Sequence, residues 1–146
     1  MKALLQRVSR ASVTVDGDRV GEIGTGLLVL LGLDKGDSRD SADRLLEKLL
    51  AYRVFPDAQG RMNQSVVEIQ GGVLLVSQFT LSADTRKGLR PGFSAALPPA
   101  EAEVLYDYAL SRLSALHEKV AAGQFGADMQ VELVNDGPVT FLLEVA

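Results

Sequence analysis

The order of hydrophobic patterns along the chain predicts a mixed α+β fold, in which strands that are mainly antiparallel and hairpin-connected are covered by two principal helices. Three observations carry that expectation. Residues 26–33 and 73–76 are unbroken apolar runs, the mark of strands covered on both faces. Ala42, Leu45, Leu46, Leu49 and Leu50 recur at three and four, the spacing of a helix with one buried stripe. Ala102, Leu105, Ala109, Leu113 and Leu116 repeat the same spacing further on.

Each element follows from its own residues. Residues 3–15 alternate and are rich in β-branched side chains, Asp16-Gly17 is a hairpin turn, and residues 18–23 are its polar second arm. Residues 3–23 are therefore expected as edge or half-buried strands. The run 26–33 is too short for a helix and reads as a central strand. A helix is expected over 37–55, its stripe running on to Arg53, with Asp37 or Ser38 as its cap and early acidic residues at the positive end of the dipole. Residues 56–60 read as a surface turn. Residues 66–69, Gly71-Gly72 and 73–81 read as a hairpin whose second arm is the other covered strand. After a loop over 82–93, Pro98-Pro99 opens the second helix, which runs to about His117. Residues 123–128 break the pattern, 129–134 return to strand, and Asn135-Asp136-Gly137-Pro138 turn the chain into an alternating strand over 139–145.

Composition narrows the chemistry. The 146 residues are 47% hydrophobic and 23% charged, which fits one domain spanning residues 1–146 with a core that needs no staples. There is no cysteine and one histidine, so thiolate catalysis, disulfides, thiolate-held clusters and multi-histidine metal sites within the chain are excluded. Chemistry without a cofactor is expected. Fifteen basic against nineteen acidic residues give a formal charge of −4, which disfavours global attraction to nucleic acid but leaves room for a local basic patch. No apolar run is long enough to span a bilayer, and the start lacks a signal-peptide core, so a cytoplasmic protein with no membrane partner is expected.

The hydroxyl candidates are Ser77, Thr80, Ser82 and Thr85. A Ser-His-Asp triad requires His117, which lies late on a helix in a charged stretch and is expected to be exposed, and Ser77 is not in a GxSxG elbow. Backbone is the other source of catalysis: Ser77-Gln78-Phe79-Thr80, where a covered strand ends, can aim consecutive amides at a developing oxyanion. The plain alternatives are a core role for Phe79, a loop-pinning role for Gln78 and a capping role for Thr80. Gly137-Pro138 is either an ordinary turn or, if its bond is cis, a rigid pair of carbonyl acceptors. Arg86, Lys87 and Arg90 are either a solvated charge run or a contact for phosphates.

Ser77-Gln78-Phe79-Thr80-Leu81, followed by Asn135-Asp136-Gly137-Pro138-Val139-Thr140, resembles the D-aminoacyl-tRNA deacylase family. LLQRVSRASVTVDG, GLLVLLGL and FTLSADTRKGLRPGF resemble it too, so the likeness covers nearly the whole chain in order. The resemblance implies a barrel-like or curved sheet under two helices and a homodimer with shared active sites. It implies hydrolysis of the ester joining a D-amino acid, or glycine, to the terminal adenosine of tRNA. It assigns Ser77 and Gln78 to fixing the adenosine, and the amides of Phe79 and Thr80 to the scissile carbonyl. Gly137-Pro138 is implied to enter from the other subunit with a cis bond and to exclude an L side chain by closeness. Val139 and Thr140 complete that substrate-facing motif. Met129 packs behind it and Arg7 holds its loop, against plainer readings as core filler and as a solvent-facing charge. Arg86, Lys87 and Arg90 are assigned to the tRNA acceptor end. Thr80 as nucleophile has no visible base, so assistance by the 2′-hydroxyl of the terminal ribose is the favoured account. The runner-up function is a noncatalytic homodimer that binds an RNA end or a nucleotide; third is a purely structural interaction domain.

Overall fold

The computed structural model describes residues 1–146. Its first strand, β1 (Lys2–Val15), pairs antiparallel with three others: β2 (Asp18–Ile23) across the Asp16-Gly17 turn, β3 (Gly26–Gly32), and β8 (Gln130–Glu144) along its opposite edge. Both turn residues have positive φ, 49° and 81°, as a two-residue hairpin requires. From β3 the sheet continues in parallel through β6 (Gly72–Ser77) to β7 (Val120–Ala122), giving the order β2-β1-β3-β6-β7 with β8 on β1. Parallel neighbours need long crossovers. The first contains α1 (Arg39–Ala51) and a small hairpin of β4 (Phe55–Pro56) and β5 (Met62–Gln64); the second contains α2 (Pro99–Leu116). The sheet curls until its outer strands meet, because a Cβ at Gly21 of β2 would stand 2.3 Å from the Ala122 carbonyl oxygen of β7. The architecture is thus the mixed α+β fold expected, with a nearly closed, barrel-like sheet.

Both apolar runs are covered on both faces. Leu27, Val29 and Leu31 of β3 and Val73 and Leu75 of β6 pack toward the helices, against Leu45, Leu46 and Leu49 of α1 and Leu105, Tyr106 and Leu113 of α2. Leu28, Leu74 and Val76 pack with Val8 and Val13 in a second, smaller core on the other face. Each fully buried leucine contributes roughly 1.5–3 kcal/mol by leaving water. Tyr106 also fastens α2 to the sheet: its hydroxyl donates to the Leu75 carbonyl at 2.8 Å, and burial pushes the phenol up to about 12, so it stays a donor.

Several expectations are corrected. Of the strands in residues 3–23, β2 is a mostly exposed outer strand and β1 is half-buried as expected but central, not at an edge, because alternation reveals which face is buried and not how many partners a strand has. Residues 66–69 are a helical turn, not a hairpin arm. Ser65 and Glu68 exchange side-chain to backbone hydrogen bonds at 3.0 and 3.2 Å, a capping box that outweighs the β-branched Val66 and Val67. Ser38, not Asp37, caps α1, which stops at Ala51 and leaves Arg53 exposed. On α2, Tyr106 joins the buried stripe and Leu116, at the last turn, is exposed. His117 is half-buried, its Nε2 2.7 Å from the Gly71 carbonyl oxygen. The strand expected to reach residue 81 ends at Ser77, and in place of two strands over 129–134 and 139–145 there is one long strand, Gln130–Glu144.

Behind β3, Asp34 accepts from Lys2 Nζ at 3.0 Å and from the Met1 α-amino group at 3.2 Å. Burial works against its charge, but the adjacent Ser82 hydroxyl, Lys2 and the α-amino group outweigh it and hold the carboxyl below its ordinary 3.8. A depressed carboxyl stabilises the fold above the unfolded value and loses that contribution as pH falls through the folded one. The melting-temperature gap between wild type and Asp34→Asn should therefore be widest above about pH 4 and close as pH falls further. A gap of constant size down to the acid transition contradicts this.

Candidate active site

The C-terminal ends of the parallel pair β3 and β6 lie side by side, Leu31 in register with Ser77. The Gln78 amide donates to the Leu31 carbonyl at 2.8 Å, and the chain then folds into a 3-10 turn, Phe79–Ser82. The turn sits directly on Gly32, where a Cβ would stand 2.8 Å from Leu81 Cβ and 3.4 Å from the Gln78 carbonyl oxygen. It is held from beneath by the buried Ser82, whose hydroxyl donates to the Leu33 carbonyl at 3.2 Å. The first bond of the turn runs from the Leu81 amide to the Gln78 carbonyl at 3.2 Å, so the amides of Phe79 and Thr80 have no acceptor inside it.

Ser77, Gln78 and Phe79 line a largely apolar cavity of about 780 Å³ together with Phe93, Phe125 and Met129, and Thr80 follows Phe79 just outside that lining. Phe79 is 62% exposed and packs on Phe93 with ring centroids 5.2 Å apart, so it is a wall of the cavity and not a core anchor. Gln78 Nε2 donates to Thr80 Oγ1. No carboxylate, imidazole or amine is hydrogen-bonded to Thr80, so the hydroxyl has no visible general base. His117 is beyond the opposite end of β6, beside Gly71, roughly 20 Å from Ser77 at strand rise, which removes the triad. No three histidine or acidic side chains gather where they could hold a metal.

The second motif lies elsewhere. Gly137-Pro138 is a cis peptide at an exposed corner of β8. Arg7 Nε donates to the Asp136 carbonyl at 3.0 Å and lies 3.2 Å from its carboxylate, while Arg7 Nη1 donates to the Val54 carbonyl at 2.7 Å. Asn135 Nδ2 donates to the carbonyls of Arg7 and Val139 at 3.0 and 3.2 Å. Val139 is buried beneath the corner, and exposed Thr140 accepts from Gln6 Nε2 at 3.3 Å. Met129 is distant from this corner and lines the cavity, with Sδ 3.4 Å from the Gln124 amide. Ser77 is in register with Leu31, Leu31 with Ala3, and Ala3 with Leu143, whereas the corner falls between the partners of Gln6 and Val8. Three strand spacings and about four residues, on the order of 20 Å, separate a chain's corner from its own Ser77.

The basic loop is not uniform. Arg86 forks onto Asp84 with two 2.9 Å bonds, and the guanidinium holds the Asp84 carboxyl down to about 2. Lys87 and Arg90 are exposed and form no ion pair. Lys35, Phe93, Phe125 and Asp128 line the cavity although nothing local in the sequence marks them, because three separate connections bring them together.

Residues 4–144 match the family model described as D-Tyr-tRNA(Tyr) deacylase. The chain belongs to that family. Its relatives include a D-aminoacyl-tRNA deacylase of Cellvibrio japonicus, 61% identical over 145 residues, and one of Pseudomonas fluorescens, 63% identical over 144, each alignment covering 99% of both chains. A solved structure titled c-Myc DNA Unwinding Element Binding Protein superposes with TM-score 0.96 at 43% identity, covering 100% of this chain and 99% of that one. Another, titled as a probable eukaryotic D-amino acid tRNA deacylase, gives 0.83 at 17% identity over 99% and 98% of the two chains and shares the fold. Membership in this deacylase family makes the chain a hydrolase, and no helix is long and apolar enough to cross a membrane.

Gly32→Ala tests the seat of the turn. The added methyl displaces Leu81 and tilts the Phe79 and Thr80 amides, so deacylation should fall at least 100-fold while the melting temperature changes by only a few degrees. Retained activity with a preserved fold contradicts the placement.

Proposed function

We propose that the chain hydrolyses the ester between a D-amino acid, or glycine, and the terminal adenosine of tRNA, releasing free amino acid and tRNA in the cytoplasm. The observation that carries this reading is the pair of acceptor-free amides of the turn, that of Phe79 in the wall of a largely apolar cavity of about 780 Å³ and that of Thr80 next to it. Water adds to the ester carbonyl, the two amides receive the negative charge that develops on its oxygen, and the 3′-oxygen leaves. Such donors are fixed before the reaction and need no reorganisation as charge appears. Ser77 and Gln78 orient the adenosine, and Met129 fills the wall behind it. The ribose 2′-hydroxyl relays the proton to the leaving oxygen, a role that RNA can fill and DNA cannot.

The functional unit in this reading is a homodimer. A chain's Gly137-Pro138 corner is far from its own Ser77, so it serves the partner's cavity, with Arg7 bracing the loop and with Val139 and Thr140 shaping its base. Two carbonyls held close to the α-carbon leave room for hydrogen, and therefore for glycine or a D side chain, but not for an L side chain. Lys87 and Arg90 meet the acceptor-stem phosphates, and Arg86 contributes less because Asp84 already occupies its guanidinium. The neighbour titled as a DNA-binding protein keeps the noncatalytic nucleic-acid reading in view.

Matched D- and L-tyrosyl-tRNA separate the two. Release of D-tyrosine with the L substrate intact supports the enzyme; binding without release of either overturns it. Within the enzyme reading, single turnover with Thr80→Ala should stay within about tenfold of wild type, while a terminal 2′-deoxyribose should cost at least 100-fold. The opposite pattern makes Thr80 the nucleophile.

A further inference from the structure

The cavity lining has only two charged groups, Lys35 on the β3 side and Asp128 after β7, with Ser77, Gln78 and Phe79 between them at the end of β6. Neither forms an ion pair. Lys35 has acidic neighbours in sequence that ought to neutralise it, yet both are engaged elsewhere. Asp34 Oδ2 takes Lys2 Nζ at 3.0 Å and the Met1 α-amino group at 3.2 Å, and Asp37 takes that amino group at 2.9 Å and the Asp34 amide at 2.7 Å. The backbone of Lys35 is also pinned: its amide donates to the Ala95 carbonyl at 2.9 Å, and Asp34 bridges Ala96. Three residues from Gly32, it lies within about 11 Å of the seat of the 3-10 turn. A solvated lysine needs neither a fixed backbone nor neighbouring carboxylates turned away from it.

Resting on the deacylase reading, we propose that Lys35 binds the phosphodiester on the 5′ side of the terminal nucleotide and so sets which way the nucleotide enters the cavity. An ammonium is a compact point charge that suits a single phosphate. Asp128 repels a phosphate on the opposite side, so the two charges together admit one orientation, with the ester carbonyl turned toward the Phe79 and Thr80 amides.

The test compares two substrates that share the ester and differ in phosphate: D-tyrosyl-tRNA, and D-tyrosine esterified to free adenosine. The readout is the ratio of kcat/KM on the tRNA to kcat/KM on the adenosine ester, for wild type, Lys35→Ala and Lys35→Arg. The ratio should fall about tenfold in Lys35→Ala and recover most of the way in Lys35→Arg. The logarithmic salt dependence on tRNA should also flatten in Lys35→Ala by about 0.7, the slope of one single-strand phosphate contact. An unchanged ratio and slope, or equal losses on both substrates, overturns the inference and leaves the deacylase reading intact. A wild-type protein that cleaves neither substrate overturns that reading and the inference with it.

Discussion

β3 pairs antiparallel with β1 on one edge and parallel with β6 on the other, and the position of the site follows from that change of direction. Antiparallel neighbours end at opposite sides of a sheet, whereas parallel neighbours end together and leave their following connections side by side. Gly32 and the 3-10 turn after Ser77 can touch only because β3 and β6 run the same way. The crossovers this demands supply much of the rest: α1 and α2 cover the outer face and the segment before α2 brings Phe93 to the cavity, while the β7–β8 connection brings Phe125. Crevices beyond the C-terminal ends of parallel strands are where open α/β sheets place ligands, and this curled sheet obeys the same geometry.

A site built in this way needs few reactive side chains. The chain has no cysteine, and its single histidine is bound to the Gly71 carbonyl at the far end of β6. What the strand end offers instead is oriented backbone, and in the proposed reading two amides fixed by a turn perform electrostatic work that solvent performs only after reorganising. Gln78 donating to Thr80 fits the same economy, since it fixes the hydroxyl as a positioning group rather than activating it. The proposed transfer of the proton by the ribose would make the substrate part of its own catalytic apparatus.

Much of the fold was legible because the strongest patterns are local. The apolar runs at 26–33 and 73–76 and the leucine stripe of α1 are where the sequence puts them. The central place of β1 was not legible, since pairing along both edges leaves no trace in alternation. Ser65-Val66-Val67-Glu68 was misread because β-branched valines outweighed a capping pair three residues apart. For the site, Ser77–Thr80 and Gly137-Pro138 stood out as motifs, but their separation within one chain, the Asp84 clamp on Arg86 and the exposure of Lys35 depend on contacts between segments distant in sequence.

The central claim is that an intact cavity in one subunit works with the Gly137-Pro138 corner of another. Subunit mixing tests it directly: Gly32→Ala chains, with a spoiled cavity seat and an intact corner, are allowed to exchange with Arg7→Ala chains, with an intact cavity and an unbraced corner. Each parent alone should be nearly inactive on D-tyrosyl-tRNA. Half of the dimers at random are then mixed, and each has one complete composite site of two, so an equal mixture should recover about one quarter of wild-type activity. A mixture that has demonstrably exchanged subunits yet shows no more activity than its parents contradicts the shared site.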